Sequence, residues 1–284
     1  MKARWMQLAI VGLGLAWALG GCVKNAATGK RQLNFLSREE EVAIGEQAKT
    51  EMTTEYGGAF ADADVQAYVR EVGMKLVAHT EGDYRTLPWE FTLLDSDVIN
   101  AFALPGGKVF LSKGLAARLP DEAAMAAVLG HEVGHVTAEH ADKRVSSAMI
   151  TQGLVVGASA ALGATADERT AAVGSMVLGG VGTGFLLKFG RDEESQADAL
   201  GMRYMTRAGY SPHGMVSVME VLTEASKGAE RQWEILSTHP DPERRLKWAR
   251  EAVRGGYSAE ANDPNAIKGE RAYQERMLRK TGKP

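Results

Sequence analysis

The chain has almost no cysteine: Cys22 is the only one in 284 residues, so no disulfide can form within it. An excess of basic residues is also missing. The formal net charge is −3 and the pI about 6.1, which gives no electrostatic footprint for nucleic acid. Long apolar runs are few. Trp5 to Leu19 is too short for a spanning helix, and the two small-residue stretches on either side of Asp167-Glu168-Arg169 are dense in glycine and each barely long enough to cross a bilayer. A repeat array is excluded as well, because the polar tail after Val253 is shorter than one tetratricopeptide unit. What remains is an ordinary globular composition, 45% hydrophobic and 24% charged, which suffices for one sizeable core.

Lys2 and Arg4 precede the short apolar run, the order of a secretory leader. The run ends in Leu19-Gly20-Gly21-Cys22, which resembles a bacterial lipobox; the resemblance implies cleavage after residue 21 and lipidation of Cys22. With Val23 rather than Asp behind it, such a lipoprotein goes to the outer membrane and faces the periplasm. The other reading is a buried thiol in an uncleaved anchor. The expected organisation is a leader at 1–21, a polar tether at 22–36, a folded body at 37–254 and a loose polar tail at 255–284.

One stretch stands out. Pro120-Asp121-Glu122 opens a helix, since Pro is tolerated in the first turn and acidic groups meet the positive end of the helix dipole. Inside that helix lies His131-Glu132-Val133-Gly134-His135. Two histidines four apart share a helix face, so both imidazoles reach one metal ion, and Glu132 can serve as general base towards a water. A solvated amphipathic helix is disfavoured because these groups interrupt a run of Ala, Met, Val and Leu, where an unpaired carboxylate would be costly.

An open catalytic site needs a third protein ligand. The pattern H-E-x-x-H-x-x-G-x-x-H fails, since Ala138 and Ala141 stand where Gly and His would be required, and on a continued helix His140 points about 140° from His135. The alternative is Glu194 on a second helix, with Asp198 one turn on to accept the free ring N–H of a ligand histidine. Glu193 projects about 100° away. Upstream, Trp89 to Leu94, Val98 to Leu104 and Lys108 to Leu111 read as strands of a small antiparallel sheet with a tight turn at Pro105-Gly106-Gly107. Its segment Asn100, Ala101 and Phe102 is placed to hold a substrate backbone by strand addition. The stretch 148–189 reads as close-packed small-residue helices or a lid, with a membrane hairpin as the other possibility.

Taken together, His131 to His135, Glu194 to Asp198, Asn100 to Gly107 and His239-Pro240 resemble the gluzincin metallopeptidases of family forty-eight, over about Arg38 to Val253. That family includes the CAAX prenyl protease, the membrane heat-shock protease, the mitochondrial stress protease and short periplasmic lipoproteins, and the chain is most similar to the last. The resemblance implies an α+β, mainly helical zincin-type domain and one zinc per chain, held by His131, His135 and Glu194. It implies proteolysis of unfolded or misassembled envelope proteins, with membrane attachment through Cys22. A chaperone-like protein with incidental proteolysis is the rival reading. The segment from His239 to Arg245 matches the family's H-P-x-x-x-x-R pattern, and both residues are expected as donors to the oxyanion. For His239 a helix-capping role or a temporary fourth metal ligand remain open.

Overall fold

A computed structural model describes residues 22–34, 36–144, 188–227 and 233–282. The leader and nearly all of 148–189 lie outside the described residues. Among those described, no helix is long and apolar enough to cross a membrane.

The elements that position the site follow from local chemistry. Ser37 and Glu40 exchange hydrogen bonds as a capping box and start α1 (Arg38–Glu55). Asp62 accepts from the amides of Asp64 and Val65 and starts α2 (Ala63–Val77), which buries Val65, Tyr68, Val69, Val72, Leu76 and Val77 along one face. Three strands follow: β1 (Glu90–Leu94), β2 (Ala101–Leu104) and β3 (Lys108–Ser112). The sheet is mixed rather than antiparallel. Only β2 and β3 form the expected hairpin; the order is β1-β3-β2, and β1 pairs parallel with β3. The chain passes from β1 to the outer edge and turns back through Pro105-Gly106-Gly107, where Gly106 and Gly107 have φ of 70° and 86°. Strand β3 therefore returns into the middle, running the same way as β1. Strand β2 is left at an edge.

Asp121 accepts from the amide of Ala124 and caps α3 (Glu122–Thr137), every residue of which is buried. Glu122 is more than a dipole partner, because its carboxylate accepts from the hydroxyls of Tyr68 at 2.7 Å and Tyr210 at 2.8 Å. Helix α4 (Arg191–Arg207) packs on α3 at small residues. A methyl on Gly201 would sit 2.8 Å from the amide nitrogen of His131 and 2.9 Å from the carbonyl carbon of Gly130. The two backbones are thus in contact, and that approach lets a carboxylate on α4 reach the imidazoles on α3. Gly201→Ala is accordingly expected to cost about 1–3 kcal/mol by overpacking. A thermal midpoint equal to that of the parent would show that the helices have room to separate.

Helices α5 (His213–Lys227), α6 (Ile235–Thr238) and α7 (Pro242–Arg254) close the other side. Helices α6 and α7 do not run on as one piece. Pro240 and a left-handed Asp241, φ 60°, separate α6 from α7 and leave His239 in the joint.

Two expectations about the ends are corrected. Residues read as a tether form a hairpin, Cys22–Lys24 against Arg31–Leu33, whose turn docks on the body. Asn25 donates to the hydroxyl of Tyr84 and to the carbonyl of Thr137, both at 2.8 Å. The tail read as loose is also fastened. Lys268 accepts from the amide of Ala123, Tyr273 is fully buried and donates to the carbonyl of Ala116 at 2.7 Å, and Met277 is buried beside it. The few apolar residues of an otherwise polar segment are enough to anchor it.

Candidate metal centre

His131 and His135 rise from one face of α3 with their Nε2 atoms 3.0 Å apart. From α4, Glu194 brings Oε2 to 3.6 Å from the first and Oε1 to 3.4 Å from the second. The proton positions follow from the far sides of the rings. Asp198 Oδ1 lies 2.9 Å from His131 Nδ1, which fixes the N–H there and leaves the Nε2 lone pair facing inwards. Burial would raise the Asp198 carboxyl, yet Arg245 and the His131 ring outweigh it and hold it well below the usual carboxylate range. Arg245 grips Asp198 with Nε at 2.9 Å and Nη2 at 2.6 Å.

This donor set fits a metal ion. Glu194 is fully buried and neither of its oxygens accepts a hydrogen bond; Arg245 Nη1 sits 2.7 Å from Oε2, but off the N–H direction. The two Nε2 atoms and the carboxylate converge on one point. Their separations of 3.0, 3.4 and 3.6 Å are close to the edge of a tetrahedron with bonds of about 2.0–2.1 Å, roughly 3.3 Å.

Glu132 lies beside this cluster, 1% exposed, with Oε2 unpartnered and Oε1 3.6 Å from His239 Nε2. Burial pushes its carboxyl up to about 7, against the opposing effect of His131. His239 is itself inside the donor set, where His131, His135, Glu194 and His239 can each present an atom within 4.8 Å of all the others. Its Nδ1 is 2.8 Å from the Thr238 hydroxyl, while Nε2 is buried without a partner. The two residues expected to face an oxyanion both line the small cavity beside His131 and Glu132. Arg245 is turned behind the cluster, onto Asp198 and Glu194, and His239 stands among the donors. Of the strand residues, Asn100 donates to Tyr56 and has its amide on Ser112 Oγ; Ala101 and Phe102 pack their side chains inwards on edge strand β2.

Two contributors escaped the sequence reading. His140 approaches His135 nitrogen to nitrogen, Nδ1 to Nδ1, at 2.8 Å and so orients the second imidazole. The 140° rejection assumed a continuing helix, whereas α3 stops at Thr137 and Glu139, with φ 55°, bends the chain back. Phe189 lies against His135 with the rings tilted by 34° and their centroids 3.8 Å apart, and it lies 5.2 Å from His239. An aromatic residue two positions before the helix that carries Glu194 was the available signal.

A model of peptidase family M48 matches residues 63–253. Among characterised proteins, the beta-barrel assembly-enhancing protease of Escherichia coli (strain K12) is 34% identical over 186 residues, 64% of this chain and 38% of that protein. Its counterpart in Yersinia pestis is 32% identical over 219 residues, 76% of this chain and 44% of that protein. The mitochondrial metalloendopeptidase OMA1 of Schizosaccharomyces pombe is 28% identical over 220 residues, 77% of this chain and 62% of that protein. The chain therefore spans about two fifths of the bacterial relatives and about three fifths of the yeast one.

Proposed function

This chain belongs to peptidase family M48, and from that membership we propose that it is a zinc endopeptidase that cuts unfolded or misassembled envelope proteins. The observation that carries the reading is the buried meeting of His131, His135 and Glu194 beside Glu132. Zinc held by the first three would polarise the scissile carbonyl and make a water molecule acidic near neutrality. The chain's own groups do the rest. Glu132 Oε2 takes the proton of the attacking water and returns it to the leaving amine. Asp198, clamped by Arg245, keeps the His131 proton on Nδ1, and His140 holds His135. Edge strand β2 supplies unpaired backbone groups to an extended peptide. The test is metal content measured together with digestion of an unfolded protein such as casein. About one zinc per chain and chelator-sensitive cleavage are expected; a metal-loaded protein that cleaves nothing would leave the chaperone-like reading. Equal rescue of an envelope defect by wild type and Glu132→Gln would favour that rival too.

The finer proposals are attachment through lipidated Cys22, residence at the outer membrane facing the periplasm, and a peptidase domain over 37–254. The relatives' names, a beta-barrel assembly-enhancing protease among them, support an envelope role.

A second reading concerns His239. Its unpartnered Nε2 inside the donor set favours a removable fourth ligand over an oxyanion donor. His239→Ala is then expected to speed digestion of unfolded substrate several-fold at unchanged zinc content. Turnover slowed about a hundredfold would support the oxyanion role, the usual cost of losing one such donor.

A further inference from the structure

Both imidazoles of α3 present Nε2 to the donor set, so each needs its one proton held on Nδ1. For His131 the acceptor is Asp198, 2.9 Å away. For His135 the group in that place is another imidazole, His140, whose Nδ1 stands 2.8 Å from the Nδ1 of His135. Two ring nitrogens so close share one proton. If His135 supplies it, His140 Nδ1 is a bare lone pair, and the single proton of a neutral His140 then sits on Nε2. His140 is 0% exposed, and burial keeps its ring neutral.

That tautomer leaves a buried N–H pointing away from the metal centre, and a buried donor needs an acceptor. His140 Nε2 is buried, and so is Gln196 Oε1; neither atom has any other partner among the described residues. Helix α4 brings them together. Glu193 approaches Arg144 at 3.3 Å, and Gln196, three residues along the same flank of α4, faces His140, four residues before Arg144. The Gln196 side chain hydrogen-bonds the His140 ring in the sense that favours a protonated nitrogen, as an amide oxygen does and an amide N–H does not.

We propose that Gln196 is the positioning residue of the second imidazole: its Oε1 accepts from His140 Nε2–H, which keeps the His140 Nδ1 lone pair on the N–H of His135 and leaves His135 Nε2 to the metal. Helix α4 then carries a partner for both rings, Asp198 directly for His131 and Gln196 through His140 for His135. The first link ends on a carboxylate and the second on a neutral amide, so the second is the weaker of the two. This role rests on the metal reading of the centre.

The experiment measures zinc affinity of the full chain by competition with a chromophoric chelator. Gln196→Met keeps the length of the side chain but offers no accepting oxygen, and it is expected to weaken zinc binding about tenfold, the lower end of what a lost partner behind a metal ligand costs. Gln196→Glu keeps the oxygen and is expected to hold zinc as the wild type does. A role in packing alone predicts the reverse order, because Met suits a buried place better than a carboxylate. In a His140→Phe background, Gln196→Met is expected to cost nothing further, since the link it acts through is gone. Nitrogen-15 spectra of the zinc-loaded wild type need no variant to fold, and they are expected to show His140 protonated at Nε2 and bare at Nδ1. A proton on His140 Nδ1 would overturn the role. So would a Gln196→Met protein that binds zinc as tightly as the wild type, a Gln196→Glu protein that binds it more weakly than Gln196→Met, or a full tenfold loss that persists without His140; each leaves the centre itself intact. A wild type that binds no zinc would remove the centre, and this role with it.

Discussion

Glu132→Gln is expected to lower peptide hydrolysis by about a hundredfold to ten-thousandfold, the range that general acid–base catalysis supplies, while metal content stays at the wild-type level. Glutamine keeps the volume and one acceptor oxygen, so the wall of α3 beside the cluster is unchanged, but it cannot take a proton from water. The site is arranged for that task. Oε2 has no partner to compete for it, and burial raises the carboxyl to about 7, so its conjugate base is strong enough to matter near neutrality. The sign of the pH effect follows: cleavage declines on the acid side as Glu132 becomes protonated, with the limb at or below about 7, because a cation in the donor set lowers the value further. Single-turnover digestion by the zinc-loaded variant is the measurement. Retained turnover would move the base to another residue.

The second large effect separates neighbours. Glu194→Ala is expected to lose nearly all bound metal on dialysis against a weak chelator, and activity with it, whereas Glu193→Ala keeps both. Glu194 is fully buried, and its oxygens stand opposite both Nε2 atoms. Glu193 instead caps the amide of Gly190 at 2.9 Å and approaches Arg144 at 3.3 Å near the surface. Such a pair contributes about 0–1 kcal/mol and a cap a similar amount. Circular dichroism guards against a trivial result, since Glu194→Ala also leaves Arg245 with one carboxylate fewer inside the protein. Metal loss in Glu193→Ala together with retention in Glu194→Ala would place the ligand one position earlier.

The sequence made the donor set legible because ligand spacing is a local property of helices. His131 and His135 lie four apart on one helix, as do Glu194 and Asp198 on another, and that periodicity survives folding. It did not reach past the helix end, although His140 does stay outside the donor set. His140 was excluded by extending an angle past Thr137, and nothing in the local pattern announces the left-handed Glu139 that turns it back. The ion pair that Arg245 makes lay out of reach for a different reason. Its partner Asp198 is 47 residues away, and which cation meets which carboxylate is decided by packing α7 on α4, not by motif spacing. Strand positions were read well, but strand order was not, since a parallel β1–β3 pairing depends on which side of the sheet the hairpin returns to. At the two ends the error was compositional: a polar average concealed Asn25, Tyr273 and Met277, each of which docks by itself.

Arg245 also sets an order of events. Its guanidinium meets His131 across 114 residues of sequence, and it arrives on the last long helix. Contacts of such span close late, because loop-closure entropy must be met before they contribute. A chain emerging from its N-terminus carries both imidazoles long before the group that clamps Asp198 against the first of them. Assembly of the cutting site is thereby coupled to completion of the fold, and a nascent or partly unfolded copy lacks the clamp that orients its first histidine.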